Sequence, residues 1–248
     1  MTSNAYGKYF LKDSIRKEID FSTTAQNRGL DPPPLEKPYP REALLIPLVS
    51  PQDWTRIGDI SVREAIAARK SHRAFRGEPL SLEELSYLLW ATQGLRRTAS
   101  ILGARTVPSA GCRHAFETYL AIFHVPGLPK ALYRYLPLEH ALVEVTRRDG
   151  LEELVQWAAL GQGFVAKGAV TFLWTAIPAR MEWRYGDASY KVIALDAGHV
   201  CQNLYLACEG IGAGTCAVAA YDQEASDTLL GVDGEDEFTV YMAPVGKV

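Results

Sequence analysis

The segment from Tyr190 to Glu209 constrains the fold more than any other stretch of this chain. Val192, Ile193, Ala194, Leu195, Ala197, Val200, Leu204, Leu206 and Ala207 put apolar side chains nearly all round a helix. A helix of that kind is buried in a core or in a subunit interface. Cys201 and Cys208 are seven apart and share a helical face, which makes them core residues. His199 reads as a hydrogen-bonded core residue rather than a ligand. Gly210-Ile211-Gly212-Ala213-Gly214 ends the helix and turns the chain.

The chain also carries several strand-like runs. Ala169 to Ile177 is the strongest candidate, because Val170-Thr171-Phe172-Leu173-Trp174-Thr175 is apolar on both faces and so belongs in the middle of a sheet. Glu117 to Val125, Ala131 to Tyr135, Thr215 to Ala220 and Phe238 to Met242 read as further strands. Ser61 with Glu64, and Ser81 with Glu84, are capping boxes that open helices. The second box opens Leu82 to Gln93, with Gly94 suited to its C′ position. Glu152 to Leu160 is amphipathic, and Asp222 caps a helix that stops at Gly231. These elements alternate without a regular βαβ rhythm. The expected class is α+β, with a mainly antiparallel central sheet flanked by helices over residues 58–248. Residues 1–57 carry Asp31-Pro32-Pro33-Pro34, Lys37-Pro38-Tyr39-Pro40, Pro47 and Pro51. They read as a proline-rich extended arm, with a short helix near Ser14 to Ile19 and with Leu44-Leu45-Ile46 and Trp54 docking on the body.

A net charge of −3 gives no pull towards nucleic acid or an anionic membrane. No apolar run approaches the length that spans a bilayer, and the N-terminus shows no signal-peptide core. Cys112, Cys201, Cys208 and Cys216 make no Cys-x-x-Cys pair, which fits reduced thiols and a cytoplasmic location. The histidines have no metal-ligand spacing, so no metal site is expected.

The functional signal starts at Arg69-Lys70-Ser71-His72-Arg73. In an extended backbone Arg69, Ser71 and Arg73 point to one side, and two guanidiniums with a hydroxyl suit a phosphate. A solvated basic turn at a helix end has the same composition, so the segment alone leaves both readings open. Pro108-Ser109-Ala110-Gly111 is a loop of small residues that would let backbone donors approach a ligand. Arg184-Tyr185-Gly186-Asp187 sets a phenol beside a cation, a candidate acid–base pair. Gly210 to Gly214 lacks the strand-to-helix order of a dinucleotide or P-loop motif. Lys247 is a candidate further phosphate ligand.

In this order the motifs resemble the nitroreductase superfamily. Arg-x-Ser-x-Arg, Pro-Ser-Ala-Gly and Leu195-Asp196-Ala197-Gly198-His199-Val200-Cys201-Gln202-Asn203-Leu204 followed by a Gly-rich turn carry the likeness. Leu132-Tyr133-Arg134-Tyr135, His140-Ala141-Leu142 and Leu229-Leu230-Gly231-Val232-Asp233-Gly234-Glu235 are similar to its SagB-type dehydrogenase branch, which includes the azoline oxidases. The resemblance implies a domain-intertwined homodimer with FMN at the interface. It implies cofactor contacts from Arg69, Lys70, Ser71, Arg73 and Lys247, from Ala217, Val218 and Ala219, and from Pro108, Ser109, Ala110 and Gly111 of the partner chain. It implies ping-pong oxidoreductase chemistry, with NAD(P)H as donor and a nitro, quinone or related acceptor. The alternatives are azoline oxidation in a modified peptide, or a flavin-binding partner subunit without catalysis. Arg184 and Tyr185 stand where azoline oxidases carry a Lys-Tyr pair. Arginine does not give up its proton, so Arg184 is no general base.

Overall fold

The computed structural model describes residues 3–55, 57–96 and 103–248. Residues 97–102 of the sequence loop from Arg96 to Gly111 therefore lie outside the described residues. The core is one seven-stranded sheet. Its strands are β1 (Leu45–Pro47), β2 (Phe116–Ile122), β3 (Ala131–Leu136), β4 (Ala141–Thr146), β5 (Val170–Ala176), β6 (Ala213–Thr215) and β7 (Phe238–Lys247). The order across the sheet is β1-β4-β3-β2-β5-β7-β6, with every strand pair antiparallel.

Period-two alternation divides the sheet's side chains between two apolar layers. On one face Leu120, Ile122, Phe172 and Trp174 pack with Leu85, Leu88 and Leu89 of α3 (Leu82–Gln93) and with Ile193, Val200 and Leu204 of α6 (Ser189–Glu209). On the other, Tyr119, Ala121, Leu173 and Met242 pack with α4 (Leu151–Ala158) and α7 (Gln223–Leu230). β5 is buried at every position because helices cover both of its faces. The three remaining helices are α1 (Ser3–Leu11), α2 (Val62–Ala68) and α5 (Ala179–Tyr185).

Both capping boxes form, at Ser61 with Glu64 and at Ser81 with Glu84. Asp222 caps α7, and Gly231 ends it at φ 69°. Gly94 differs from expectation. It leaves α3 with φ −64° and ψ 148°, an extended exit rather than a left-handed cap, because residue 95 at once pairs with Arg105. The strand expected over Thr215 to Ala220 lies earlier, at Ala213–Thr215, and only Val218 pairs beyond it, with Met242. β4 and α5 were not foreseen.

The arm holds more structure than its prolines suggest. α1 was not expected, and the helix foreseen near Ser14 is the 3-10 turn Asp13–Lys17. Leu44 is 88 % exposed, so it does not dock, whereas Leu45–Pro47 joins the sheet as β1. Trp54 meets Tyr87 and Trp90 edge-on, at 5.3 and 5.2 Å. Residues 35–38 are fastened to buried charge by their backbone. Arg105 donates to the Leu35 carbonyl at 2.9 Å and Arg134 to the Pro38 carbonyl at 3.0 Å. The Lys37 N–H donates to Glu117 at 2.9 Å. Proline lacks a donor but keeps its acceptor, so a proline-rich strap suits a surface of arginines.

Candidate functional site

The basic segment lies along the free edge of β6. The His72 N–H donates to the Thr215 carbonyl at 2.9 Å, and Ser71 makes a parallel bridge with Thr215. This approach depends on Gly214, where a Cβ would come within 2.5 Å of the His72 ring. Held extended, the segment presents Ser71 to Tyr205 on α6, hydroxyl to hydroxyl at 2.9 Å. The Arg69 guanidinium lies 5.2 Å from the centroid of the same ring. Tyr205 also accepts the Ala217 N–H at 2.8 Å. Arg73 turns instead to Phe164, 5.7 Å from its ring. The three alternating residues therefore line an edge; they do not converge on one point.

Among the described residues, Arg69, Lys70 and Arg73 have no carboxylate within ion-pair distance. Lys247, by contrast, is engaged by the Glu84 carboxylate and by the Ile211 carbonyl at 2.6 Å. It ties β7 to α3 and is not part of the open cationic edge. Both backbone groups of Val218 are taken by Met242, so of Ala217 to Ala219 only Ala219 keeps its backbone free of partners among the described residues. Ala219 borders an apolar cavity of about 450 Å³ with Tyr190, Ile193, Ala197, Tyr221 and Tyr241.

A second group of site residues gathers about the loop after Pro108. Asp196 of α6 is buried and accepts the Ala110 N–H at 3.2 Å. Burial raises its pKa, against the hydrogen bonds from Ser109, Ala110 and His199, which lower it. Ser109 accepts the His114 N–H at 2.9 Å. Gly111 takes φ 58°, and a Cβ there would stand 2.7 Å from both the Arg184 Cδ and the Tyr185 hydroxyl. Arg184 and Tyr185, on the last turn of α5, thus abut the loop. His199 is 53 % exposed and lies 3.7 Å from Asp196, so it is not a core residue. His114 is buried close to Arg105, Arg113 and Arg180. Burial, and then those charges, push its pKa down to about 3, and it stays neutral at ordinary pH. Among the described residues no group of His, Cys, Asp and Glu could hold a metal ion.

The two groups sit on one helix, nine residues apart from Asp196 to Tyr205, or about 13 Å at 1.5 Å per residue. The open cationic edge, with two hydroxyls and no carboxylate in ion-pair contact with its Arg and Lys side chains among the described residues, has the donor chemistry that a phosphate-bearing cofactor needs.

The model of the Nitroreductase family matches residues 66–247. The chain belongs to the nitroreductase family. A Methanocaldococcus jannaschii protein assigned as a nitroreductase is 33 % identical over 192 residues, which is 77 % of this chain and 93 % of that one. Among solved structures, a nitroreductase-family protein of Ralstonia eutropha shares 28 % identity with a TM-score of 0.68, over 88 % of this chain and 99 % of its own. The fold is also that of two more distant structures. One, in the Escherichia coli microcin synthetase McbBCD complex with truncated pro-MccB17 bound, covers 100 % of this chain and 98 % of its own at TM-score 0.62 and 17 % identity. The other, the Vibrio harveyi NADPH:FMN oxidoreductase complexed with NAD+, covers 75 % and 67 % at TM-score 0.52 and 19 % identity.

At this candidate site, the sequence did not single out Tyr205, Phe164, Asp196, Arg113 and Trp183. Tyr205 and Asp196 lie on the helix that carried the family likeness, and their polar groups on an apolar helix were the available signal. Phe164 and Trp183 carried no local signal. They are placed by the 3-10 turn Gly163–Ala166 and by α5.

Proposed function

We propose that this chain is an FMN-dependent oxidoreductase that works as a homodimer. The observation that carries the reading is the un-neutralised edge Arg69-Lys70-Ser71-Arg73 beside Tyr205 and Ala217 in a chain of the nitroreductase family. The flavin would supply two-electron chemistry; the protein binds it and sets its surroundings. Arg69, Ser71 and Arg73 hold its anionic end through charge-assisted bonds. The Ala219 backbone and the apolar cavity beside it fit the less polar ring system.

Pairing of two copies rests on apolar side chains left open on two helices. Leu195 and Tyr190 of α6 are 56 % and 44 % exposed, and Val62 and Ile66 of α2 are 70 % and 59 % exposed. Two copies joined through α6 would carry the Pro108–Gly111 loop of one to the basic edge of the other; within one chain their contacts on α6, Asp196 and Tyr205, are about 13 Å apart along the helix axis. NADH or NADPH is the proposed donor, and a nitro, quinone or related compound the acceptor. The reaction is then ping-pong, because donor and acceptor use the same open face in turn. We place the protein in the cytoplasm. Among the described residues no helix is long and apolar enough to cross a membrane.

Azoline oxidation in a modified peptide is the second reading, favoured by the full-length fold likeness to a chain of the microcin synthetase complex. Arg184 weighs against it, since a guanidinium removes no proton at ordinary pH. The test is an absorbance spectrum of the purified protein, followed by anaerobic titration with NADH and NADPH and light scattering for mass. A dimer with flavin absorbance that bleaches on titration, then recovers with an added acceptor, is expected. A colourless protein that gains no flavin absorbance after incubation with FMN would overturn the proposal.

A further inference from the structure

Arg113 and Arg184 flank the same glycine. The Arg113 Nε donates to the Gly111 carbonyl at 3.1 Å. The Arg184 Nε is 2.9 Å from the position a Cβ on Gly111 would take. Each guanidinium is held by neutral groups. Arg113 lies over the Trp183 ring at 4.8 Å from the centroid. Arg184 donates to the Gln26 side-chain carbonyl at 3.1 Å and lies 5.7 Å from the Tyr185 ring. Among the described residues neither has a carboxylate within ion-pair distance.

Buried Arg105 is likewise held by neutral acceptors, whereas several other fixed cations meet an acid. Arg180 and Arg134 share Glu117, Lys37 meets Glu237, and Lys247 meets Glu84. Asp196 is the acid beside this loop, but it is turned to the Ala110 N–H and pairs with neither arginine among the described residues. Two like charges oriented beside one loop with no acid in contact repel each other, and an incoming anion relieves that repulsion. Stacking over Trp183 orients Arg113 while leaving the N–H groups at its tip available. Arg184 likewise uses one N–H on Gln26 and keeps the others. The forked donors of two such groups match a carboxylate or a phosphate, and the Tyr185 hydroxyl beside Gly111 adds a neutral donor.

We propose that Arg113 and Arg184 form an oxyanion-recognition site beside the Gly111 loop, and that the molecule processed here carries a carboxylate or phosphate group. This rests on the reading above that pairing brings the loop of one copy to the cofactor edge of the other. The arm takes part, because Gln26 aims Arg184.

The test is calorimetric titration of the purified dimer, with its bound cofactor, using benzoate and its neutral isostere benzamide. Benzoate is expected to bind at least tenfold more tightly. Arg113→Gln and Arg184→Gln should each remove most of that preference and the double variant all of it. Arg148→Gln, an exposed change elsewhere, should leave it intact, and unchanged far-ultraviolet circular dichroism confirms folding. NADPH and NADH are titrated in parallel to assign the source of the oxyanion. If it belongs to the organic substrate, the double variant loses benzoate and keeps the wild-type NADPH-to-NADH affinity ratio. If it belongs to the 2′-phosphate of NADPH, that ratio falls to about one. Either result supports the site. Equal binding of benzoate and benzamide, together with an unmoved NADPH-to-NADH ratio in the double variant, would overturn it. Heat of binding needs no turnover, so the site can be detected in a protein that fails to bleach with NAD(P)H. Bleaching without charge discrimination sinks this inference alone.

Discussion

Ser71 and Tyr205 meet hydroxyl to hydroxyl at 2.9 Å, and this contact joins the basic segment to the long helix. The same Tyr205 oxygen accepts the Ala217 N–H, so one atom connects the three segments proposed to line the cofactor. Removing it separates them without removing the ring that Arg69 covers.

Tyr205→Phe is therefore expected to lower stability modestly, by about 1 kcal/mol, the usual net worth of a hydrogen bond. Its larger effect should be on cofactor retention, because Ser71 and Ala217 lose their common anchor. A flavin dissociation constant raised about tenfold, read by fluorescence on dilution, is the expected result. An unchanged constant would show that the tyrosine hydroxyl plays no part in ordering the edge.

Gly111 cannot accept a side chain without moving its neighbours. Its φ of 58° costs a non-glycine residue about 1–2 kcal/mol, and a Cβ would overlap Arg184 and Tyr185. Gly111→Ala should lower kcat/KM at least tenfold while the melting temperature falls by only a few degrees. Steady-state kinetics and a thermal melt on one preparation decide it. Wild-type kinetics in the variant would mean that the loop and the Arg184-Tyr185 pair do not act together.

The fold was legible where a local pattern and the tertiary need agreed. β5 is apolar on both faces because both are covered, and the Ser81 and Glu84 box sits where α3 starts. α6 reads as apolar all round, yet Leu195 and His199 are exposed. That excess of apolar surface is what the proposed second copy would cover. What stayed hidden depends on partners far along the chain. The arm's carbonyls find Arg105 and Arg134, which no local spacing announces. Arg73 turns to Phe164 because a 3-10 turn from the other side of the sheet lies there. Lys247 suggested a free cation at a chain end, but Glu84 belongs to a helix that packs beside it.

Glu117 holds buried charge together beneath the arm. It accepts from Arg180 at 2.5 Å and from the Lys37 N–H, and it lies 3.7 Å from the Arg134 guanidinium. Among the described residues the Arg134 Nη1 has no hydrogen-bond partner. Glu117→Gln leaves two buried guanidiniums without a counter-charge, a loss of about 3–5 kcal/mol. Chemical denaturation should show that loss, and limited proteolysis should cut residues 31–40 sooner. A loss under about 1 kcal/mol would mean that water or another acid compensates.

Glu36 makes the arm's attachment depend on pH. Its buried carboxylate accepts the Leu138 N–H at 3.1 Å. Burial raises its pKa to about 7, aided by the charges of Glu139 and Glu117 and opposed by the Leu138 hydrogen bond. The folded value exceeds the unfolded one of about 4.5, so the folded chain binds more protons between them. Its contribution to stability is full below pH 4.5 and is lost as pH rises to 7. Buried His114 acts in the opposite sense between pH 3 and 6.5, since its folded value is depressed. The wild-type curve mixes the two, and a difference between proteins separates them. Glu36→Gln keeps an acceptor for Leu138 and does not ionise. Its melting temperature relative to wild type should climb by roughly 3 °C or more from pH 5 to pH 7 and level off above. A difference that stays flat across that range would place the Glu36 titration elsewhere.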